Sequence, residues 1–447
     1  MSMRSDRAHV TDALRIPLVA LLLVVLVCVA VFAAACGSEE TTTTAGPETT
    51  AGPATTAGPT TTVASTETTG TTQPLPASIK VGAVIPLTGK YAGLGSQVKG
   101  GYELAVKDIN DAGGVDIGGT KVPIELSILD DESDATKTVQ QLETHASNGV
   151  VAYLGGAGSD LHAAAAGIAE KNKIAYLGVA FALYAGVMDQ GFKYVFSPFP
   201  KSADHAKITF EMLNSFNPKP SKVVIFQEKT DWGDELGGLW KENAPKYGYE
   251  VVDVEEYAPG TKDYSGMILK AKAAGADALF GVPTDPDGVA MFKQMSELGW
   301  TPKFSLIIRA PENVKWSETM GKTGDYVTIF PGWHHAMPFP GVAELNAKYQ
   351  AEFGRPADLL TGPSYACVQI IANAIEKAGS LDRDKIRDAM AATKMDTVIG
   401  PVTFNPDGTG VVLDPLIQWQ NGQLELVAPA EYATKPLAYP APPFDQR

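Results

Sequence analysis

The residues best equipped for chemistry sit beyond the ends of apolar runs. Ser159 follows Val150-Val151-Ala152-Tyr153-Leu154 and the loop Gly155-Gly156-Ala157-Gly158, and it precedes an alanine-rich helical stretch from Leu161 to Lys171. A serine where a strand turns into a helix has unpaired N–H groups beside it and the positive end of the helix dipole behind them, so the position favours an anion. It also suits a plain N-cap serine. Gly156-Ala157-Gly158 begins like a dinucleotide loop, but Leu161 occupies the third glycine position and the fingerprint fails. There is no Gly-x-Ser-x-Gly elbow and no Walker loop. His334 and His335 are adjacent and tend to point apart, which makes a joint metal site a poor expectation. Cys367 lies in Tyr365-Ala366-Cys367-Val368-Gln369-Ile370-Ile371, a stretch that reads as a buried helix and makes the thiol a core residue. No catalytic constellation, metal site or cofactor site emerges, so an enzyme is not expected.

The elements that would position these residues alternate between strand and helix. A continuous apolar run, as in a strand covered on both faces, occurs at 81–85, and further strands are expected at 150–154, 174–177, 223–226, 251–254, 278–282, 304–308 and 327–330. Ile124, Leu126 and Ile128 alternate in one further strand. Helical spacing joins Val98, Tyr102, Ala105, Val106 and Ile109 before Gly113-Gly114. Later helices are expected at about 234–247, 264–274, 287–298, 341–353, 364–378 and 382–392. Near the end, Leu416–Gln420 and Gln423–Val427 flank Asn421-Gly422, a hairpin turn signal. Such alternation implies α/β architecture with parallel sheets and right-handed crossovers. Two doubly wound halves would take ligands at the carboxyl ends of their strands.

The amino terminus has a different character. Arg4, Arg7 and Arg15 precede an uncharged apolar run from Ile16 to Ala35, and Cys36 follows Ala33-Ala34-Ala35. This order resembles a bacterial lipoprotein signal peptide over 1–35 with lipidation at Cys36; an uncleaved transmembrane anchor is the other reading. Both export the remainder. Residues 36–77 are rich in Thr, Ala, Gly and Pro, repeat Ala-Gly-Pro at 45, 51 and 57, and read as a disordered tether. The following 370 residues are too many for one ordinary core and suit two domains. The three cysteines are Cys28, Cys36 and Cys367, so no disulfide is possible within the body. The net charge of −15 argues against nucleic acid and anionic lipid as partners.

Several segments then coincide in order with one family. They are Lys80–Gly89 (KVGAVIPLTG), Ala105–Val115 (AVKDINDAGGV), Leu154-Gly155 with Ser159, Ile168-Ala169-Glu170, Tyr194-Val195-Phe196, Trp232-Gly233, Tyr365-Ala366 and Val398-Ile399-Gly400-Pro401. Over roughly 78–428 the chain resembles the branched-chain amino-acid (Leu/Ile/Val) type of substrate-binding protein of ABC importers, with a type I periplasmic-binding fold. That resemblance implies two doubly wound Rossmann-like lobes joined by a three-crossover hinge. The N-terminal lobe is expected at 78–198 plus 333–400, the second at 199–332 plus 401–428, and a tail at 429–447. Hinge closure on a small solute, docking on a membrane permease and a monomeric state are the corresponding expectations. A ligand-sensing receptor of the same fold is the rival reading.

The resemblance also assigns a site. Ser159, with Gly158 before it, would hold a ligand carboxylate. The family's small-small-Ser/Thr trio after the fourth strand is here Ala180-Phe181-Ala182, without the hydroxyl. Trp232 would cover the ligand, or else belong to the core. Arg309 stands near the family's acidic partner for an ammonium group and would pair a carboxylate or lie on the surface. Asp285 would replace the acid or remain a solvated loop residue. Tyr91 and Leu94 would wall the pocket or pack their loop. An amino acid is the first ligand class, with aromatic or other organic acids and amides as alternatives.

Overall fold

The apolar run at 81–85 is buried on both faces of its sheet, which explains why neither face is polar. In the computed structural model of the chain, which describes residues 74–447, it forms β1 (Ile79–Ile85), an inner strand of a parallel sheet. The targeting segment, Cys36 and the tether through residue 73 lie outside the described residues. After β1 come α1 (Ala92–Asp111) and a small antiparallel pair, β2 (Val115–Ile117) and β3 (Thr120–Val122). Then follow β4 (Ile124–Asp130), α2 (Ala135–Ser147), β5 (Ala152–Gly155), α3 (Ser159–Asn172), β6 (Ala175–Leu177) and β7 (Val195–Phe196). The first sheet has the order β4-β1-β5-β6-β7.

The chain crosses at residues 197–201 into a second α/β layer. Its elements are α4 (Ser202–Leu213), β8 (Lys222–Glu228), α5 (Asp231–Asn243), β9 (Glu250–Tyr257), α6 (Ser265–Ala274), β10 (Ala278–Gly281), α7 (Asp285–Glu297), β11 (Phe304–Ile307), α8 (Lys315–Met320) and β12 (Val327–Ile329). Every residue of β10 and β11 is buried, Ser305 included. The edge strand β9 carries Asp253, Glu255 and Glu256, charges that discourage pairing with another chain.

A second crossing returns from Ile329 to α9 (Val342–Phe353), α10 (Thr361–Ala378) and α11 (Arg383–Ala391). α10 packs directly on α1: a Cβ at Gly101 would lie 1.9 Å from Ser364 Oγ. A three-stranded antiparallel sheet follows, β13 (Lys394–Thr397), β14 (Gly400–Phe404) and β15 (Gly410–Val411). It is tied to the end of β7, because Ser197 N donates to Gly408 O at 3.0 Å and Gly410 N to Ser197 O at 2.9 Å. The third crossing therefore runs over 411–416, later than the transfer at residue 400 expected from sequence. It leads into the hairpin β16 (Leu416–Gln420) and β17 (Gln423–Ala428), with β16 antiparallel to β12. The second sheet has the order β17-β16-β12-β11-β10-β8-β9. Asn421 and Gly422 both have positive φ, the conformation that makes Asn-Gly a hairpin turn.

Residues beyond 428 lie along the second layer. Gln418 accepts from Ala438 N at 2.8 Å, Ala441 N donates to Lys303 O at 2.9 Å, and Arg447 donates to the carbonyls of Thr323 and Asp325 at 2.8 and 2.7 Å. Among the described residues no helix is long and apolar enough to cross a membrane.

Candidate functional site

The two sheets meet across a cleft whose floor is the set of crossings. Ser159 is the first residue of α3, and Gly158 before it has φ +110. That backbone leaves no room for a side chain, since a Cβ on Gly158 would lie 2.5 Å from the Tyr91 ring. The N–H groups of Ser159 and Asp160 open the helix and have no partner within it. Ser159 is buried, and among the described residues its hydroxyl accepts only a long contact, 3.4 Å, from Leu183 N.

Leu94, Gly158, Ser159, Ala180 and Ala182 from the first lobe face Trp232, Ile308, Arg309 and Glu312 from the second, with Phe199 and His205 beneath. These walls leave about 360 Å³ of space, little of it wide enough for a water molecule. The lobes are thus shut tightly, and a solute of amino-acid size requires them slightly further apart. An adjoining crevice brings in Tyr91, Asp160 and Thr230. Gln97 Nε2 donates to Glu312 O at 2.9 Å, and Tyr184 N and Ala185 N donate to Glu235 at 3.0 and 2.6 Å, which holds the lobes together.

Seven of the expected residues converge on this cavity: Leu94, Gly158, Ser159, Ala180, Ala182, Trp232 and Arg309, with Tyr91 in the adjoining crevice. Two do not. Phe181 turns its ring into the first lobe, stacked on His162 with centroids 4.5 Å apart and covered by Lys201 Nζ at 4.2 Å. Asp285 is held by Asn313 beside Gly93, away from the cavity walls. Burial raises its carboxyl to about 6. The trio's carbonyls at 181 and 182 are also committed, the first to Lys201 and Ser197 and the second to Ser202.

Arg309 is a residue of the interior rather than the surface. Its guanidinium lies 2.9 Å from Glu228, which is fully buried, and 4.8 Å from the Trp232 ring. The Glu228 contact is an ion pair by distance, without the alignment of a hydrogen bond. Burial opposes the arginine charge, and Glu228 more than offsets it, so the pKa rises. Arg309 also contacts Tyr91 Oη at 3.3 Å across the cleft. Its φ of +81 is a left-handed backbone that a non-glycine residue rarely adopts, and Glu312 accepts from its N–H at 2.8 Å to hold that turn. Arg309 is therefore already neutralised by its own lobe.

Sequence reasoning missed Glu312, His205, Phe199 and Ile308. Glu312 lies three residues past Arg309 in the same loop, and reading on by one helical turn reaches it. Burial raises its carboxyl to about 7, with the Arg309 N–H bond opposing. His205, in the first turns of α4, carries no local signal. Its neighbour Asp414 is 209 positions later in the chain, and the two are brought to 2.7 Å. A wider groove of about 980 Å³, lined by His334, His335, Arg355, Asp358, Trp419 and Glu425 among others, lies apart from these residues. Among the described residues no group of three or more His, Cys, Asp or Glu is placed to hold a metal.

Comparisons with known proteins agree with this geometry. A family model described as periplasmic binding protein matches residues 78–423. Leu/Ile/Val-binding protein homolog 3 of Brucella melitensis is 26% identical over 360 residues, covering 78% of this chain and 93% of that protein. The substrate-binding protein LivJ of the Streptococcus pneumoniae branched-chain amino acid transporter, solved in complex with isoleucine, superposes with a TM-score of 0.70 at 20% identity, covering 78% of this chain and 97% of that one. An ABC-transporter solute-binding protein from R. palustris, solved in complex with benzoate, superposes at 0.67 with 18% identity, covering 81% and 98%. The match over most of the chain, on a fold of two hinged α/β lobes, means that this chain belongs to the periplasmic binding protein family.

Proposed function

We propose that the protein is the extracytoplasmic solute-binding component of an ABC importer and captures an amino acid, or a related small carboxylate, by closing two lobes over it. The observation that carries this reading is the placement of Ser159 and the free N–H groups of α3 opposite Trp232 and Glu312 in one inter-lobe cavity. The α3 end suits the carboxylate. Glu312, rather than Arg309, is the group suited to an ammonium, because Arg309 is occupied by Glu228. The isoleucine-bound and benzoate-bound relatives both carry a carboxylate, which favours the same anchoring end in this chain. The cavity's apolar wall of Leu94, Phe199, Trp232 and Ile308 keeps an aromatic acid as the second reading.

The remaining parts of the proposal rest on sequence. The basic, apolar and small-residue order before Cys36 supports export and a lipid anchor on the outer face of the cytoplasmic membrane, with residues 36–77 as spacer. The partner is then a membrane permease, and the protein acts as a monomer. A signalling partner in place of the permease would use the same capture step.

Isothermal titration against the common amino acids and benzoate tests the reading. Ser159→Ala is expected to weaken the best binder about tenfold, the loss of one charge-assisted hydrogen bond. The melting temperature of the unliganded protein should stay nearly unchanged, since Ser159 makes only one long contact. Unaltered affinity in this variant would refute the anchoring role.

A further inference from the structure

His205 stands where the three crossings meet. Phe199 from the first crossing packs edge-on to its ring at 6.3 Å, Phe330 from the second lies at 6.0 Å, and Asp414 from the third sits 2.7 Å from Nδ1. Both members of the His205–Asp414 pair have side chains at most 1% exposed. Burial disfavours the imidazolium, and Asp414 more than offsets this, so the ring is held charged more firmly than usual. His205 is one of the residues that line the inter-lobe cavity, and its buried Nε2 has no hydrogen-bond partner among the described residues. A charged N–H buried without an acceptor is unfavourable, so a group that enters the cavity and accepts from it gains that difference.

We infer that His205 is a specificity residue of the cavity: its Nε2–H donates to a second hydrogen-bond acceptor on the solute, a side-chain carbonyl or carboxylate, so polar acids are preferred over purely aliphatic ones. The inference rests on the capture reading above, since it takes the solute's first carboxylate to lie at Ser159. The alternative cation is unsuited to this task, because Arg309 is matched by Glu228. His205 has Asp414 at Nδ1, with Asp204 and Glu312 as weaker neighbouring charges, and no hydrogen-bond partner at Nε2 among the described residues. Aliphatic contacts come from Leu94, Ala180, Ala182 and Ile308, which leave one wall of the cavity polar.

Leucine, asparagine and aspartate have the same branched side-chain skeleton and differ in acceptor atoms, which makes them the probes. In titrations with the purified full chain, asparagine or aspartate should bind at least about tenfold more tightly than leucine, as in sites built to pair a polar group. In His205→Phe that preference should collapse, with leucine binding as well as or better than the polar pair. Asp414→Asn serves as the second variant, keeping the ring while removing its charge partner. It should lower aspartate affinity more than leucine affinity. Preference for leucine in the unaltered protein, or an unchanged leucine-to-asparagine ratio in both variants, overturns the inference. If Ser159→Ala still weakens leucine in that case, the capture reading stands and only the role of His205 falls. Failure of every acid to bind would overturn both.

Discussion

Burial holds the Glu312 carboxyl near pH 7 instead of its ordinary 4.5, with a bond from Arg309 N–H pulling the other way. Because the folded pKa is raised, protonation of Glu312 favours the folded state. That contribution is fully present below about pH 4.5 and is lost as the pH rises through about 7. Accepting an ammonium group requires the ionised form, so amino-acid affinity should rise with pH between about 5 and 8, approaching tenfold per unit below 7. Titrations across that range should show the rise in the unaltered protein and a flat profile in Glu312→Gln. Arg309 and Glu228 make a different kind of pair. Their charges are buried together, so removing one leaves the other uncompensated. Glu228→Gln should destabilise the protein by about 3–5 kcal/mol in denaturant unfolding, and adding Arg309→Met should recover most of that loss. Ser159 was legible in the sequence because it sits beside an element boundary that the apolar pattern marks, and Trp232 because Trp232-Gly233 resembles the family's segment. Glu228, Glu312 and His205 were not, since their importance comes from burial and from partners distant in the chain.

The elements that carry the site are fixed at close approaches of backbone. α1 begins against the loop after β1, where a Cβ at Gly95 would lie 1.9 Å from the Pro86 carbonyl. Gly233 in α5 is held in the same way by the Glu228 carbonyl at 2.0 Å. Gly95→Ala should therefore shift the start of α1 and with it Tyr91 and Leu94. Its expected cost is about 2–4 kcal/mol in thermal or denaturant unfolding. The mostly apolar strands β1, β5, β10 and β11 were predictable because burial on both faces imposes composition as well as pattern. The pair β2–β3 and helix α4 left weaker traces. β2 and β3 are only three residues each. α4 buries Ser202, His205 and Thr209 alongside its apolar residues, so its inner face does not read as a stripe of hydrophobic positions.

At the scale of the molecule, three crossings of the chain join the lobes, the buried His205–Asp414 pair sits among them, and the inter-lobe cavity adjoins that junction through His205. The sequence conveyed the two-lobed plan through strand–helix alternation and length. It did not locate the third crossing, because β14 and β15 stay with the first lobe through Ser197, a bond between residues some 210 apart. Nor did it show that residues beyond 428 bind along the second lobe, since Gln418 and Arg447 make those bonds one by one. Closure by hinge motion follows from this plan, as the cavity admits a solute only when the lobes separate. A crystal structure of the protein with its tightest-binding acid examines that directly. The carboxylate is expected within hydrogen-bond distance of Ser159 Oγ and the first N–H groups of α3, with Trp232 over the solute and the lobes slightly further apart than here. Density for the solute in the groove of His334, His335 and Arg355 instead, with the inter-lobe cavity unchanged, would contradict the capture of a solute beside Ser159.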